Sequence, residues 1–185
     1  MGRGYSAAVA ILVGAADDLM AVVAEIVQSW RNPRRVIRDR LDDGVREDRA
    51  LAVLMGACLL IFVAQWPRLA RDAYIDPSTP LDMRLGGAML GWIFLAPLAL
   101  YLIAAVTHLI AKLLGGQGSW FGARMALFWA LLATAPFWLI NGLVAGFVGP
   151  GLALTVTGVF ALAAFLVVWL LATIEAESRG KLEET

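Results

Sequence analysis

The sequence predicts an all-α fold: a polytopic transmembrane helical bundle of about four spans, with a fifth left open, preceded by an N-terminal amphipathic helix. Of the 185 residues, 61% are hydrophobic and 16% are charged, whereas soluble domains average about 45–50% apolar and about 25% charged residues. The hydrophobic residues also gather in long runs, and a helix needs about 20 mostly apolar residues to cross a hydrocarbon core ~30 Å thick. We therefore expect an integral membrane protein.

Four apolar runs are long enough, or nearly so, to span a bilayer. We expect spans at about 50–66, 85–111, 123–148 and 152–174, forming a transmembrane bundle over residues 50–174. Residues 1–49 would hold the amphipathic helix and an Arg-rich cytoplasmic segment, and residues 175–185 a charged cytoplasmic tail. Residues 67–84 carry three prolines among Asp and Arg residues, which predicts a solvated loop.

Positive charge lies mostly on one side of this bundle. Residues 31–49 contain seven arginines, and the connection between the second and third spans and the tail add more, whereas the opposite loops hold three arginines. Because positively charged loops tend to stay in the cytoplasm, we expect the Arg-rich segment, Ser119 and the C-terminus there, and Ser78 on the far side.

Residues 7–30 form the amphipathic helix, and the sequence leaves open whether it spans. Five polar residues share one narrow arc at helical spacing: Asp17, Asp18, Glu25, Gln28 and Ser29. Two aspartates near the midplane would cost about 2.5–3.5 kcal/mol each on insertion scales. We favour a helix on the membrane or against the bundle, with this arc in water, and a fifth span is the alternative.

His108 is the single histidine and lies near the cytoplasmic end of the second predicted span. Helical spacing puts Tyr101 and Lys112 on the same seam. Ionisable groups inside spans are candidates for proton relays or anion sites. We expect no acidic partner at matching depth, which favours an interfacial histidine beside a snorkelling lysine. On that interpretation, His108→Gln leaves folding intact.

Small residues form stripes along several spans. There are two GxxxG motifs, Gly87 with Gly91 and Gly142 with Gly146, and one face of the fourth span carries Ala153, Thr157, Ala161 and Ala164. Such stripes let membrane helices approach closely, so we expect packing within the bundle, with contact to another protein or a second copy as the alternative. Pro97 and Pro136 each free a backbone carbonyl, and we expect them to shape packing rather than line a substrate path.

Basic residues cluster ahead of the first span. Five arginines lie within ten residues: Arg31, Arg34, Arg35, Arg38 and Arg40. Juxtamembrane basic clusters attract anionic lipid at ~1 kcal/mol per residue, but five acidic residues follow between Asp39 and Asp48 and offset much of the charge. The cluster is a topology signal, and contact with anionic lipid is an additional hypothesis.

No motif of catalysis or metal binding stands out in the sequence. The turn GGQGSW at 115–120 lacks the GK[ST] ending of a phosphate loop, so we expect a flexible turn, and Ser119 has no GxSxG context. A single cysteine and a single histidine do not make a metal cluster. We expect no enzyme activity, no cofactor and no metal, and the zero net charge does not favour nucleic acid.

Three segments carry a family resemblance: SWRNPRRVIRDRL from Ser29 to Leu41, RALAVLMGACLLIFVAQWPRLAR from Arg49 to Arg71, and GGQGSWFGARMALFWALLATAP from Gly115 to Pro136. They resemble the bacterial branch of the Yip-domain family, named for proteins that interact with Ypt/Rab GTPases. The resemblance implies a bacterial inner-membrane protein of a type to which no enzymatic reaction is assigned. The DLYGP-type motif of eukaryotic members is absent from this sequence, so the resemblance does not imply GTPase binding. Family members usually have five spans, whereas we count four here.

The leading hypothesis is a non-enzymatic integral membrane protein that organises or binds other membrane components. Its expected partners are membrane lipids and other membrane proteins or a second copy. A small transporter or channel is the alternative. The predicted spans hold few ionisable groups, which argues against ion or proton transport but not against an apolar substrate.

Overall fold

The computed structural model describes residues 14, 16, 20–42 and 44–178, and all regular structure in these residues is helical. The helices are α1 (residues 20–31), α2 (Pro33–Asp42), α3 (Glu47–Ile75), α4 (Leu81–Met89), α5 (Ala96–Leu113), α6 (Trp120–Phe147) and α7 (Leu152–Ser178). Four helical stretches are long and apolar enough to cross a membrane: α3, Leu81–Leu113, α6 and α7. The predicted fold class is therefore confirmed for the described part of the chain.

The first span is longer than its apolar run predicts. We expected a solvated loop to begin at Pro67, but α3 continues through it to Ile75. Arg68 and Asp72 form an ion pair of 3.6 Å at i,i+4, which supports the added turns. The 29 residues of α3 extend ~43 Å, so the helix leaves a hydrocarbon core of ~30 Å. The loop that follows covers only residues 76–80.

The second span changes helix type just before Pro97. Residues Leu90–Leu95 form a π-helix that joins α4 to α5, and the N–H of Ala96 donates to the carbonyl of Gly91. Proline has no backbone N–H to donate and its ring crowds the preceding turn, and a π-turn absorbs that strain with one extra residue. The span therefore continues past the proline instead of breaking there.

Helix α6 is the centre of the bundle. It packs against α3, α5 and α7, and α2 packs against α7. In its most apolar stretch 50% of the residues are buried, compared with 6% in the second span. Phe128 and Trp129 of α6 are fully buried. The second span thus rests on α3 and on α6 and leaves most of its surface uncovered.

The N-terminal helix uses part of its polar arc to contact the bundle. Ser29 is fully buried and accepts a hydrogen bond of 2.9 Å from Trp129 Nε1. Glu25 pairs with Arg40 of α2. The prediction that this arc faces water is therefore wrong for Ser29, because the arc also carries the small side chain that fits against α6.

A separate stripe of α1 is apolar and uncovered. It consists of Met20, Val23, Val27 and Trp30, which are 42–64% exposed. Such a stripe suits contact with membrane lipid. Asp17 and Asp18, on which the choice between a surface helix and a fifth span depends, lie outside the described residues. That choice stays a prediction.

Candidate functional site

His108 and Glu177 form a buried pair where α5 and α7 end. His108 Nδ1 lies 2.7 Å from Glu177 Oε1, and the two residues are 0% and 8% exposed. The expectation that His108 has no acidic partner is therefore wrong. The charged residues after Ile174 suggest a fraying tail, but α7 continues to Ser178 and carries the carboxylate into the core.

The Gly-rich turn closes over this carboxylate. The N–H of Gly118 donates to Glu177 Oε2 at 3.1 Å, and the N–H of Gln117 donates to the Glu177 carbonyl at 3.1 Å. A Cβ at Gly116 or Gly118 would lie only 2.7 or 2.8 Å from Oε2, so the close approach requires glycine. The turn is held in place rather than free. We call His108, Gly116, Gly118 and Glu177 the His–Glu clasp.

The structure separates the three residues of the predicted polar seam. Only His108 belongs to the clasp, where its ring packs on Trp120 with centroids 4.5 Å apart. Tyr101 packs instead on Phe128 at 5.0 Å, and Lys112 is exposed. His108 Nε2 is buried without a hydrogen-bond partner among the described residues. Direct contacts therefore do not link the seam into a proton path.

The composition of the clasp indicates a structural contact that holds parts of the fold together. One imidazole faces one carboxylate, and the other contacts come from backbone N–H groups and an aromatic ring. Nowhere in the described segments do three His, Cys, Asp or Glu side chains come close enough together to hold a metal ion. The clasp joins three elements that are distant in sequence: α5, the Gly-rich turn and α7.

Two of the five clustered arginines contact other helices of the protein. Arg38 donates to Glu175 Oε1 at 2.7 and 2.9 Å. Arg40 pairs with Glu25, and its guanidinium lies 3.6 Å from the centre of the Trp129 ring. The other three side chains are exposed: Arg31, Arg34 and Arg35. Contact with anionic lipid stays a prediction, and these three are the arginines that best fit it.

Trp30 joins α1 to α6 beside Pro136. Its indole Nε1 donates to the carbonyl of Ala133 at 2.8 Å, and its ring centroid lies 4.9 Å from that of Phe137. Pro136 has no N–H to donate to the carbonyl of Leu132, and the indole donates to the carbonyl of the next residue in the same turn. The N-terminal helix thus supplies a hydrogen-bond donor to the turn of the central helix that precedes Pro136.

One of the two GxxxG motifs packs inside the bundle. A Cβ at Gly142 would lie 1.9 Å from the carbonyl oxygen of Ala64, and a Cβ at Gly146 would lie 2.4 Å from Pro67 Cβ. Both glycines therefore let the backbones of α3 and α6 touch. The predicted packing role fits this motif.

The small residues of α7 differ in how closely they pack against the bundle. Ala161 is fully buried, and Thr157 Oγ1 accepts a hydrogen bond of 2.9 Å from Asn141 Nδ2 of α6. Ala164 is half-buried and Ala153 is exposed. The middle of this stripe is therefore where α7 meets the bundle.

The other GxxxG motif faces away from the bundle. A Cβ at Gly87 or at Gly91 would meet no heavy atom of the described chain within 4 Å. Phe94, Leu98 and Leu102 continue this side of the helix and are 62%, 71% and 65% exposed. We call these five residues the outer face of the second span.

These features define a polytopic helical membrane protein without a recognisable catalytic arrangement in its described residues. Its sequence matches the family model of the Yip1 domain over residues 27–180, so the protein belongs to the Yip1 domain family. Members are non-catalytic membrane proteins that interact with other proteins. The resemblance inferred from the sequence segments is confirmed. Neither a curated protein nor a solved structure matches the sequence.

Proposed function

We propose that this protein is a non-enzymatic organiser of the membrane that binds a transmembrane helix of another protein on the outer face of its second span. The observation that carries the proposal is the position of Gly87 and Gly91, which have open space beside them. Small residues let two membrane helices approach closely. The interaction of family members with other proteins favours a different protein over a second copy.

Contact with lipid alone gives no reason for glycine on this face. Glycine inside a helix costs about 0.5–1 kcal/mol relative to alanine. Gly142 and Gly146 offset that cost by direct contact with α3, whereas Gly87 and Gly91 make no comparable contact with the described chain. A partner helix packed over Gly87 and Gly91 would supply the missing contact.

Site-specific photo-crosslinking in cells tests this surface. With a photoreactive amino acid in place of Leu98, we expect one discrete adduct whose partner peptide lies within a transmembrane helix. Gly91→Leu should lower its yield by about tenfold, the equivalent of ~1.4 kcal/mol, because a branched side chain keeps the helices apart. Mass spectrometry of the adduct identifies the partner peptide.

The control places the same photoreactive residue at Val167, which is 56% exposed on α7, where only lipid adducts are expected. An adduct made by a second copy of this chain, or one that Gly91→Leu leaves unchanged, would rule out the proposed partner contact.

We further propose that the clasp end of the bundle faces the cytoplasm, in the inner membrane of a bacterium. The excess of arginine in residues 31–49 supports this orientation. Arg38 contacts Glu175 near the clasp, so the Arg-rich segment and the end of α7 lie on one side. The C-terminal residues beyond Ser178 lie outside the described residues, and their cytoplasmic location follows from the same proposal.

Cysteine labelling in intact cells tests the orientation. In a Cys58→Ala background, we expect a membrane-impermeant thiol reagent to label Ser78→Cys, because that residue lies in the exposed loop between α3 and α4. Ser119→Cys should react only after permeabilisation. Labelling of position 119 but not position 78 in intact cells would invert the proposed topology.

A further inference from the structure

Two adjoining grooves run along the surface of α6. They extend from the middle of the bundle toward the end that lies away from the clasp. The apolar groove lies between α5 and α7, has a volume of about 460 Å³ and is lined by apolar and tryptophan side chains that include Ile103, Leu131 and Phe165. It opens to the surroundings of the bundle at the depth where α5, α6 and α7 cross the membrane.

The second groove lies between α3 and α7, and we call it the polar groove because its mostly apolar walls also carry polar side chains. It also has a volume of about 460 Å³, and its lining includes Gln65, Arg68, Asn141 and Thr155. Both grooves share Trp138 and Leu162 as lining residues, so they meet there. Together they form one channel with a polar end and an apolar end.

We propose that this channel binds one phospholipid molecule of the leaflet opposite the clasp. Its phosphate and ester groups would lie in the polar groove beside Arg68, and one acyl chain would lie in the apolar groove. This gives the protein a specific lipid site in addition to the protein-binding face proposed above, and it uses the inner side of α5 rather than the outer one.

The dimensions of the channel match one leaflet. Thr155 in the polar groove and Phe165 in the apolar groove are ten residues apart on α7, or ~15 Å along the helix. Half of a hydrocarbon core of ~30 Å is also ~15 Å. A lipid with its head at the level of Thr155 therefore reaches the depth of Phe165 with its chain.

The junction offers a hydrogen-bond donor without a partner. Trp138 Nε1 is buried and donates to nothing in the part of the chain that the structure describes. A buried donor left unpaired costs about 1–3 kcal/mol. The Nε1 atom is covered in this structure, so the indole, which lines both grooves, has to turn toward the lipid to donate to its ester carbonyl. Trp169 Nε1 is also unpaired within the described residues, but Trp169 lies farther along α7, too deep for an ester group.

The polar end carries a cation for the phosphate. The side chain of Arg68 is 62% exposed, and it forms an ion pair with Asp72, 3.6 Å away on the same helix. Such surface pairs contribute about 0–1 kcal/mol, so Asp72 does not prevent the guanidinium from contacting a phosphate. Arginine is well suited to phosphate recognition.

A photoreactive lipid tests the site in the purified full-length protein. The protein is reconstituted in phosphatidylcholine vesicles that contain phosphatidylglycerol with a diazirine in the middle of one chain. We expect adducts on groove residues that saturate with probe concentration and disappear with excess unlabelled phosphatidylglycerol. Adducts on Leu98, on the outer face, should rise in proportion to the probe, as bulk lipid does.

Matched variants separate the site from bulk lipid. Leu162→Trp fills the junction and should lower the saturable labelling by about tenfold or more. Leu98→Trp should leave that labelling unchanged. Trp138→Phe removes one hydrogen-bond donor and should lower the labelling about fivefold, whereas Trp169→Phe should not. Arg68→Gln should lower the preference for phosphatidylglycerol over phosphatidylcholine about fivefold.

Three outcomes would overturn the proposal. Groove adducts that never saturate would mean that bulk lipid alone fills the channel. Equal losses in Trp138→Phe and Trp169→Phe would remove the polar anchor at the junction. Unchanged labelling in Leu162→Trp, with the protein still monodisperse, would place the bound lipid elsewhere. None of these results depends on whether the outer face binds a partner.

Discussion

Gly142→Ala is expected to destabilise the protein strongly. The added Cβ would lie 1.9 Å from the carbonyl oxygen of Ala64 and 2.8 Å from its carbonyl carbon. Both are backbone atoms, so α3 and α6 must move apart and lose contacts along their whole interface. Overpacking costs about 1–3 kcal/mol and sometimes more, and at about 2–4 °C per kcal/mol for a chain of this size we expect Tm to fall by about 5–10 °C in mild detergent.

Gly87→Ala is the matched control for this substitution. It adds the same methyl group to a membrane helix, but no heavy atom of the described chain lies within 4 Å of the new Cβ. Its Tm should stay within about 2 °C of the parent value, since alanine also favours the helix. Similar Tm losses in both variants would mean that the contact between α3 and α6 is not as close as the structure has it.

Glu177→Ala is the second substitution expected to have a large effect. It leaves His108 buried without its partner at 2.7 Å and leaves the N–H of Gly118 without its acceptor at 3.1 Å. Removing one member of a buried hydrogen-bonded pair costs about 2–4 kcal/mol. We expect a lower Tm and, as a second readout, faster proteolysis within residues 115–119, because the turn loses its attachment to α7.

Glu175→Ala provides a comparison two residues away on the same helix. Glu175 is as buried as Glu177, at 8% exposure for each, but its partner Arg38 has a side chain that is 55% exposed. Ion pairs with an exposed partner contribute about 0–1 kcal/mol, so Tm should fall less and residues 115–119 should stay protected. Equal proteolysis of both variants would contradict the role assigned to the clasp.

The number and order of the spans could be predicted because long apolar runs report directly on burial in lipid. The residues at which the helices end were harder to predict. Pro67 suggested a helix end, but a proline within a membrane helix is tolerated where neighbouring helices satisfy the backbone. Glu175 and Glu177 suggested a solvated tail, because composition alone does not show that a charged side chain has a buried partner.

The clasp depended on a contact that no local pattern reports. His108 and Glu177 are 69 residues apart in the sequence, and neither lies in a motif. The glycine motifs illustrate the same limit, since the sequence identified Gly87 with Gly91 and Gly142 with Gly146 as equivalent. Only the positions of the neighbouring helices show that the second motif touches α3 and that the first is uncovered.

The docking of α1 on α6 sets an order of events during synthesis. Ser29 and Trp30 bond to residues 100 and 103 positions further along the chain. At about 5–20 residues per second, the ribosome completes those positions about 5–20 s after α1 has been made. Throughout that interval α1 has no docking site, and its apolar stripe must rest on the bilayer surface or on the insertion machinery. A segment translated before all four spans is therefore among the last to reach its final place.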